Sequence, residues 1–451
     1  KYIKLEVKQM KKRFLASLLT VVTTMALFVG CKNTTSTTEE IIIEVNEPVS
    51  IELWHYLTGS QGEVLQSIID DFNSTNGKGI TVTAVNQGNI TDLNKKVVAA
   101  AQSNSLPAII NIYPDLATGL IQDGKIIDLT PYINNDKIGM KDEINNDFIK
   151  TFIDEVSQWN HGSIYGIPLT KSTEVLYVNE TLLGTLGYTM NDLNNLTMEK
   201  LTEICKKSKE ELDIPGFGFD SGSNAFISTL KMDGKDFIEL DGTINVDNEW
   251  VKEFMQYYKD NTEKGYFRTP GEDTYLSGPF SNEKLLMYQG STAGASHIQT
   301  NGAFVLGISE VPKFEAKSKA VIQQGASLFV TNDTTAQQKY AAYEFIKYAT
   351  NTENTAQFAV ATGYLPVRYS AEETITMKNV LNNTESIYGK VYPVAKEELN
   401  YAYYTPAINN AQSARNILQE KYESYVNGGI SDIETFIKDT TSQVETSIQR
   451  Q

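Results

Sequence analysis

The chain has 451 residues, too many for one ordinary hydrophobic core, so two domains are the default. Hydrophobic residues make up 41% and charged residues 21%, a globular balance. With 39 basic against 56 acidic residues, the surface repels nucleic acid and anionic lipid head groups. Tyr occurs 24 times against 3 Trp and 3 His, a usage met on extracellular carbohydrate-handling surfaces.

Residues 1–30 read as a secretory signal with an upstream extension before Met10. Basic Lys11-Lys12-Arg13 precede an apolar run, Phe14 to Val29, shorter than the roughly 20 residues a membrane span needs. The sequence Leu27-Phe28-Val29-Gly30-Cys31 resembles a bacterial lipoprotein cleavage box, which implies acylation at Cys31 and an anchor on the outer face of a bacterial, Gram-positive, membrane. Residues 31–45 are polar and read as a tether. Without residues 1–30 the chain keeps 33 basic and 55 acidic residues, a net charge of −22. A plain signal peptide with a chance cysteine is the alternative. The second cysteine, Cys205, sits in a helical pattern and reads as a buried small hydrophobe.

The first strand is expected at Val49–Tyr56 and is followed by a helix from Glu63 to Asn76. Ile80–Val85 is the next strand, Asp92–Ser103 the next helix, and Leu106–Tyr113 a buried strand. This alternation predicts a largely parallel sheet in an α/β domain. Ile164–Pro168 is short and extended, and Leu169–Asn179 alternates. Helices are expected at Leu196–Leu212, Glu249–Glu263 and Ser281–Tyr288, the last capped by Ser281. Phe304–Val311 and Gly325–Val330 read as strands. Helices follow at Thr335–Thr350 and at Thr352–Thr362, which stops at Gly363. Ala407–Asn427 and Ile430–Gln451 close the chain as two more.

No zinc-protease, Cys-x-x-Cys, Gly-x-Ser-x-Gly or Walker A pattern occurs. His55, His161 and His297 are too scattered to suggest a metal site by spacing, and no cofactor is expected. A carboxylate pair assembled by folding keeps an extracellular glycoside-active enzyme open as an alternative.

The motifs Trp54-His55 with Gly59 and Gly62, Gln87-Gly88-Asn89, Leu106-Pro107-Ala108-Ile109-Ile110, Ile167-Pro168 with Ser172-Thr173, Gly325-Ala326-Ser327-Leu328, Gly363-Tyr364-Leu365-Pro366 and Arg415 before Tyr422 follow one another along the chain. In this ordered set the chain resembles the extracellular solute-binding protein family 1, most closely its glycerol-3-phosphate-binding branch, from about Ile51 to Ser447. The resemblance implies a two-lobed periplasmic-binding-protein-like α/β fold, type II, each lobe a mostly parallel sheet flanked by helices. It places residues 46–167 plus 325–366 in the N-terminal lobe and 168–324 plus 367–451 in the C-terminal lobe. It further implies a monomeric subunit of an ABC importer that hands a small polar solute to the permease.

The resemblance also supplies the site residues. Arg415 matches an arginine that contacts ligand, and a guanidinium suits phosphate or carboxylate. Tyr364 offers a ring face and a hydroxyl. Ser172, with Thr173, and Ser291 match binding-site hydroxyls, and Gly325 matches a glycine whose backbone approaches ligand. Asp115 stands one residue beyond the branch's glutamate, at which this chain has Pro114. Ile90 replaces a branch tyrosine, and Phe226 is a candidate stacking residue. These departures leave glycerol-3-phosphate, a glycerophosphodiester and a neutral oligosaccharide as rival solutes. A surface adhesin is the remaining alternative.

Overall fold

The computed structural model describes residues 41–449. The signal segment, Cys31 and most of the tether lie outside them.

Five strands form the first sheet: β1 (Val49–His55), β2 (Ile80–Asn86), β3 (Ile109–Ile112), β4 (Gly166–Ser172) and a late strand, Gln324–Val330. Its order is β2-β1-β3-late strand-β4. β1 pairs in parallel with β2 and β3, while the late strand runs antiparallel to β3 and β4. In β1 the inward positions Val49, Ile51 and Leu53 alternate with exposed ones, so only one face is fully covered there. β3 and β4 are buried throughout.

The second sheet holds β5 (Glu174–Asn179), β6 (Met287–Ser291) and β7 (Leu306–Ser309), with β5 in the middle and antiparallel to both. The late strand of the first sheet is therefore β8. A mostly parallel second sheet is not what forms. β6 and β7 return beside β5 more than a hundred residues later instead of following it through βαβ crossovers.

The helices that matter for the site are α1 (Gly59–Thr75), α2 (Ile90–Gln102), α3 (Pro114–Gln122), α4 (Lys150–Glu155), α5 (Met198–Leu212), α6 (Gly222–Lys231), α7 (Glu249–Glu263), α8 (Ala336–Ala349), α9 (Thr352–Thr362), α10 (Ala411–Val426) and α11 (Ile433–Gln449). Side-chain caps start several of them. Asn89 accepts from the Asp92 amide, and Thr335 makes a reciprocal capping box with Gln338. Gly363 ends α9 in the left-handed region, as expected.

Two cores follow from this layout. Leu93, Val97, Ile110, Ile112, Trp159 and Phe329 pack beside the first sheet. Leu176, Val178, Leu201, Phe226, Phe254, Leu418 and Phe436 pack beside the second, so α10 and α11 belong to that core. Cys205 is fully buried there, and burial pushes its thiol pKa up, in keeping with a small core hydrophobe.

Two expected elements are replaced. Ser281 ends a short helix, Ser277–Ser281, and its hydroxyl accepts from Gln299 N instead of capping a helix. Glu283 adopts φ 56°, which breaks any continuation, and the buried run Leu285–Tyr288 leads into β6. The segment Leu169–Asn179 is not one alternating strand. It divides at Thr173 between β4 and β5, and both halves are buried on both faces.

Gly325 has φ 116°, and a Cβ there would lie 1.7 Å from the Thr170 carbonyl oxygen. Gly325→Ala is expected to lose about 3 kcal/mol or more of stability, from strain plus overpacking against backbone. Urea unfolding checks it: a loss below about 1 kcal/mol would show that the crossing relaxes easily.

Candidate functional site

The chain changes sheets at Ser172-Thr173-Glu174. Lys171 faces Gly325 and Ser172 faces Gln324 across the β4–β8 ladder. The Thr173 hydroxyl donates to Ile322 O at 3.1 Å, and Thr173 O accepts the Thr292 amide at 2.9 Å. Ser291, just before Thr292, ends β6. Its Oγ accepts from Ala293 N, and its carbonyl accepts the Tyr177 hydroxyl at 2.8 Å. On the other side, Leu365 N donates to Lys171 O at 2.6 Å, which brings Tyr364 to the same place. Ser172, Thr173, Ser291, Gly325 and Tyr364 thus meet where the strands cross.

Three tyrosines cluster beside the crossing. Tyr56 and Tyr113 follow the carboxyl ends of β1 and β3, where open parallel sheets bind ligands. The Tyr56 hydroxyl lies 3.2 Å from Thr170 Oγ1, and the Tyr56 and Tyr113 rings are 6.4 Å apart. Tyr364 lies beside Tyr56 and stacks on Phe358. Burial pushes all three hydroxyls well above the ordinary tyrosine pKa, so they stay neutral donors and acceptors. In the sequence Tyr56 and Tyr113 read only as strand ends. Their position after parallel strands is the signal that marks them.

Charged groups surround the tyrosines. Asp115 is buried at the start of α3, after Pro114 at its first position. Burial is the main cause that pushes its carboxyl up to about 6. The neighbouring Arg415 and Lys171 charges oppose the shift, and Glu155 adds to it. Lys171 is fully buried, forms an ion pair with Glu155 from α4, and donates to Gly325 O at 3.0 Å. Arg415, on α10, donates to Asn224 Oδ1. Asn224 and Gln289 in turn donate to the two oxygens of buried Glu174, at 2.6 and 2.7 Å. Burial raises the Glu155 and Glu174 carboxyls as well.

Phe226 does not join this set. It is fully buried on α6 and packs against Phe237, Phe254 and Phe436 in the core, because the helix turns Asn224 toward Glu174 and Phe226 away from it. α6 itself has no counterpart among the expected helices, although Ser221 caps it through the Asn224 amide. Ile90 opens α2 and packs on the first core. Among the described residues no group of three or more His, Cys, Asp or Glu side chains is placed to hold a metal ion.

The profile of the bacterial extracellular solute-binding proteins matches residues 67–384. The chain belongs to that family. Over 408 residues it is 22% identical to the sn-glycerol-3-phosphate-binding periplasmic protein UgpB of Brucella abortus, covering 88% of this chain and 92% of the relative. The Pectobacterium atrosepticum UgpB is 23% identical over 341 residues, 72% of this chain and 74% of that protein. Among solved structures, UgpB from Mycobacterium tuberculosis in complex with glycerophosphocholine superposes with a TM-score of 0.76 at 18% identity, covering 89% of this chain and 99% of that one. The cyclic alpha-maltosyl-1,6-maltose binding protein of Arthrobacter globiformis gives 0.73 at 18% identity, over 90% and 100%. These likenesses establish the two-lobed α/β fold of a solute-binding protein.

Two predictions concern the buried charges. Lys171→Met strands Glu155 in a dry site and is expected to lose about 3–5 kcal/mol, whereas Lys171→Met with Glu155→Leu recovers most of it. Equal losses for the single and double variants in urea would show that the pair is unimportant. The Asp115 carboxyl, raised to about 6 from an ordinary 3.8, stays protonated between those values only when folded. Its contribution is present below pH 3.8 and lost as pH rises through 6. Asp115→Asn should therefore gain roughly 1–3 kcal/mol over the parent at pH 8 and little at pH 4. A gain independent of pH in thermal unfolding would contradict this.

Proposed function

We propose that this protein is the lipid-anchored substrate-binding subunit of an ABC importer, capturing a small polyhydroxylated solute between its lobes and delivering it to the permease. One observation carries the reading. Asp115, Tyr364 and Arg415 converge on the crossing of Ser172-Thr173 with Gly325, so a solute bound there touches residues from both sheets. Such a solute favours the closed arrangement by no more than its differential affinity for it. Closure of two lobes about a hinge is a general way for a bound ligand to switch a protein's shape.

The lobe limits that fit this reading are 46–167 plus 325–366 and 168–324 plus 367–451, except that β4 carries the first lobe on through Ser172. Anchoring through Cys31 would hold the acidic body at the outer face of the membrane. Transport binding, without turnover of the solute, is the activity expected.

The test is calorimetry with glycerol-3-phosphate, glycerophosphocholine and neutral oligosaccharides, on the parent and on Arg415→Ala. One of these solutes should bind. Arg415→Ala should weaken that solute ten- to a hundredfold, the size of a lost charge-assisted hydrogen bond of about 1.5–3 kcal/mol. Unchanged affinity would remove Arg415 from the site, and chemical conversion of the bound solute would replace transport with catalysis.

A further inference from the structure

Beside the crossing lies a cavity of about 800 Å³. Ser291 and Ala293 line it. Thr292 between them donates its N–H to Thr173 O, and a Cβ at Gly363 would meet its carbonyl at 2.9 Å. The cavity therefore begins within one residue of the site described above. Its volume lies in the upper part of the range of drug-sized ligand pockets, roughly 300–1,000 Å³, and far exceeds the needs of a three-carbon phosphate ester.

The wall is suited to hydroxyls and ring faces. Tyr275 stands at 62% exposure and presents a ring, Asn282 and Ser277 supply an amide and a hydroxyl, and Tyr288 behind them is buried against Tyr177. Asp220 lies nearly buried in the wall, where its carboxyl accepts the Leu276 amide at 2.6 Å. Arg268 is already paired with Asp273, and Lys284 is exposed to solvent. An aromatic face with neighbouring amide and carboxylate acceptors matches the alternating C–H faces and hydroxyl edges of a sugar ring.

The charge at the crossing points the same way. Three buried carboxylates, Asp115, Glu155 and Glu174, face two cations, Lys171 and Arg415. Lys171 is held by Glu155 and Gly325 O, and Arg415 has one donor committed to Asn224. Bringing a dianion beside the three carboxylates adds like charge in a desolvated place.

We infer that the solute is a neutral oligosaccharide, one end at the tyrosines of the crossing and the rest running past Ser291 into the cavity beneath Tyr275. This rests on the solute-binding reading and narrows it. The test is titration calorimetry with neutral di- to hexasaccharides from α-glucan, β-glucan, mannan, galactan and xylan, beside glycerol-3-phosphate and glycerophosphocholine. At least one neutral series should bind, its affinity rising about tenfold or more from disaccharide to tetrasaccharide. Tyr275→Ala, at an exposed position, should flatten that rise.

Binding of either phosphate without any oligosaccharide overturns the inference and leaves the solute-binding reading standing. So does an affinity that does not change with length, or a length dependence untouched by Tyr275→Ala. Silence from the whole panel counts against both.

Discussion

The geometry of the site depends on one close approach, that of β8 to β4 at Gly325. With no side chain at 325, the backbone comes against the Thr170 carbonyl, and the Thr170 hydroxyl bonds both the amide and the carbonyl of Ala326 at 3.0 and 3.2 Å. The register then shifts between Ala326 and Ser327. Such an irregularity bends the strand that carries it. Gly325 O also lies within reach of Lys171, so the buried ammonium and the strand crossing fix each other.

A buried lysine in such a place needs a fixed counter-charge, and Glu155 provides it from α4. Gln323 extends the arrangement by exchanging hydrogen bonds with Thr151 on the same helix, at 2.6 and 3.1 Å. On the far side, Glu174 is satisfied by amides and not by a cation. The acid next to the crossing is thus paired on one face and merely hydrogen-bonded on the other. The polar set is ordered by its neighbours before any solute arrives, which lowers the ordering cost of binding.

Much of this layout is legible in the sequence where a residue type has a single physical use. Gly363 after an apolar period marks a helix stop, and Gly325 in a buried strand marks a close backbone approach. The periodic helices Glu249–Glu263 and Thr352–Thr362 have the expected limits. Local pattern fails where burial on both faces removes periodicity, as in β4, β5 and Leu285–Tyr288. It fails again for Phe226, since an aromatic reads alike whether it lines a cleft or fills a core. Glu155, Lys171 and Glu174 carry no local signature, because their pairing depends on contacts 16 to 154 positions away in the chain.

The segment between Ala402 and Asn410 decides how tightly the two cores are joined beside the site. Ala402–Tyr403 pair with Val321–Ile322, next to the crossing. Ala407 is buried in the core of the first sheet, its amide donating to Gln158 Oε1 at 3.0 Å, and Asn409 donates to Gln122 Oε1 at 2.7 Å. The chain then enters α10, whose Ala414 and Leu418 lie in the other core on either side of Arg415. Each of these neutral hydrogen bonds contributes about 0.5–1.5 kcal/mol to that junction. A solute that touched both cores would shift any balance between arrangements by no more than its differential affinity for them. Because Arg415 rides on the helix that this segment leads into, any change in its docking moves the guanidinium relative to Asp115 as well.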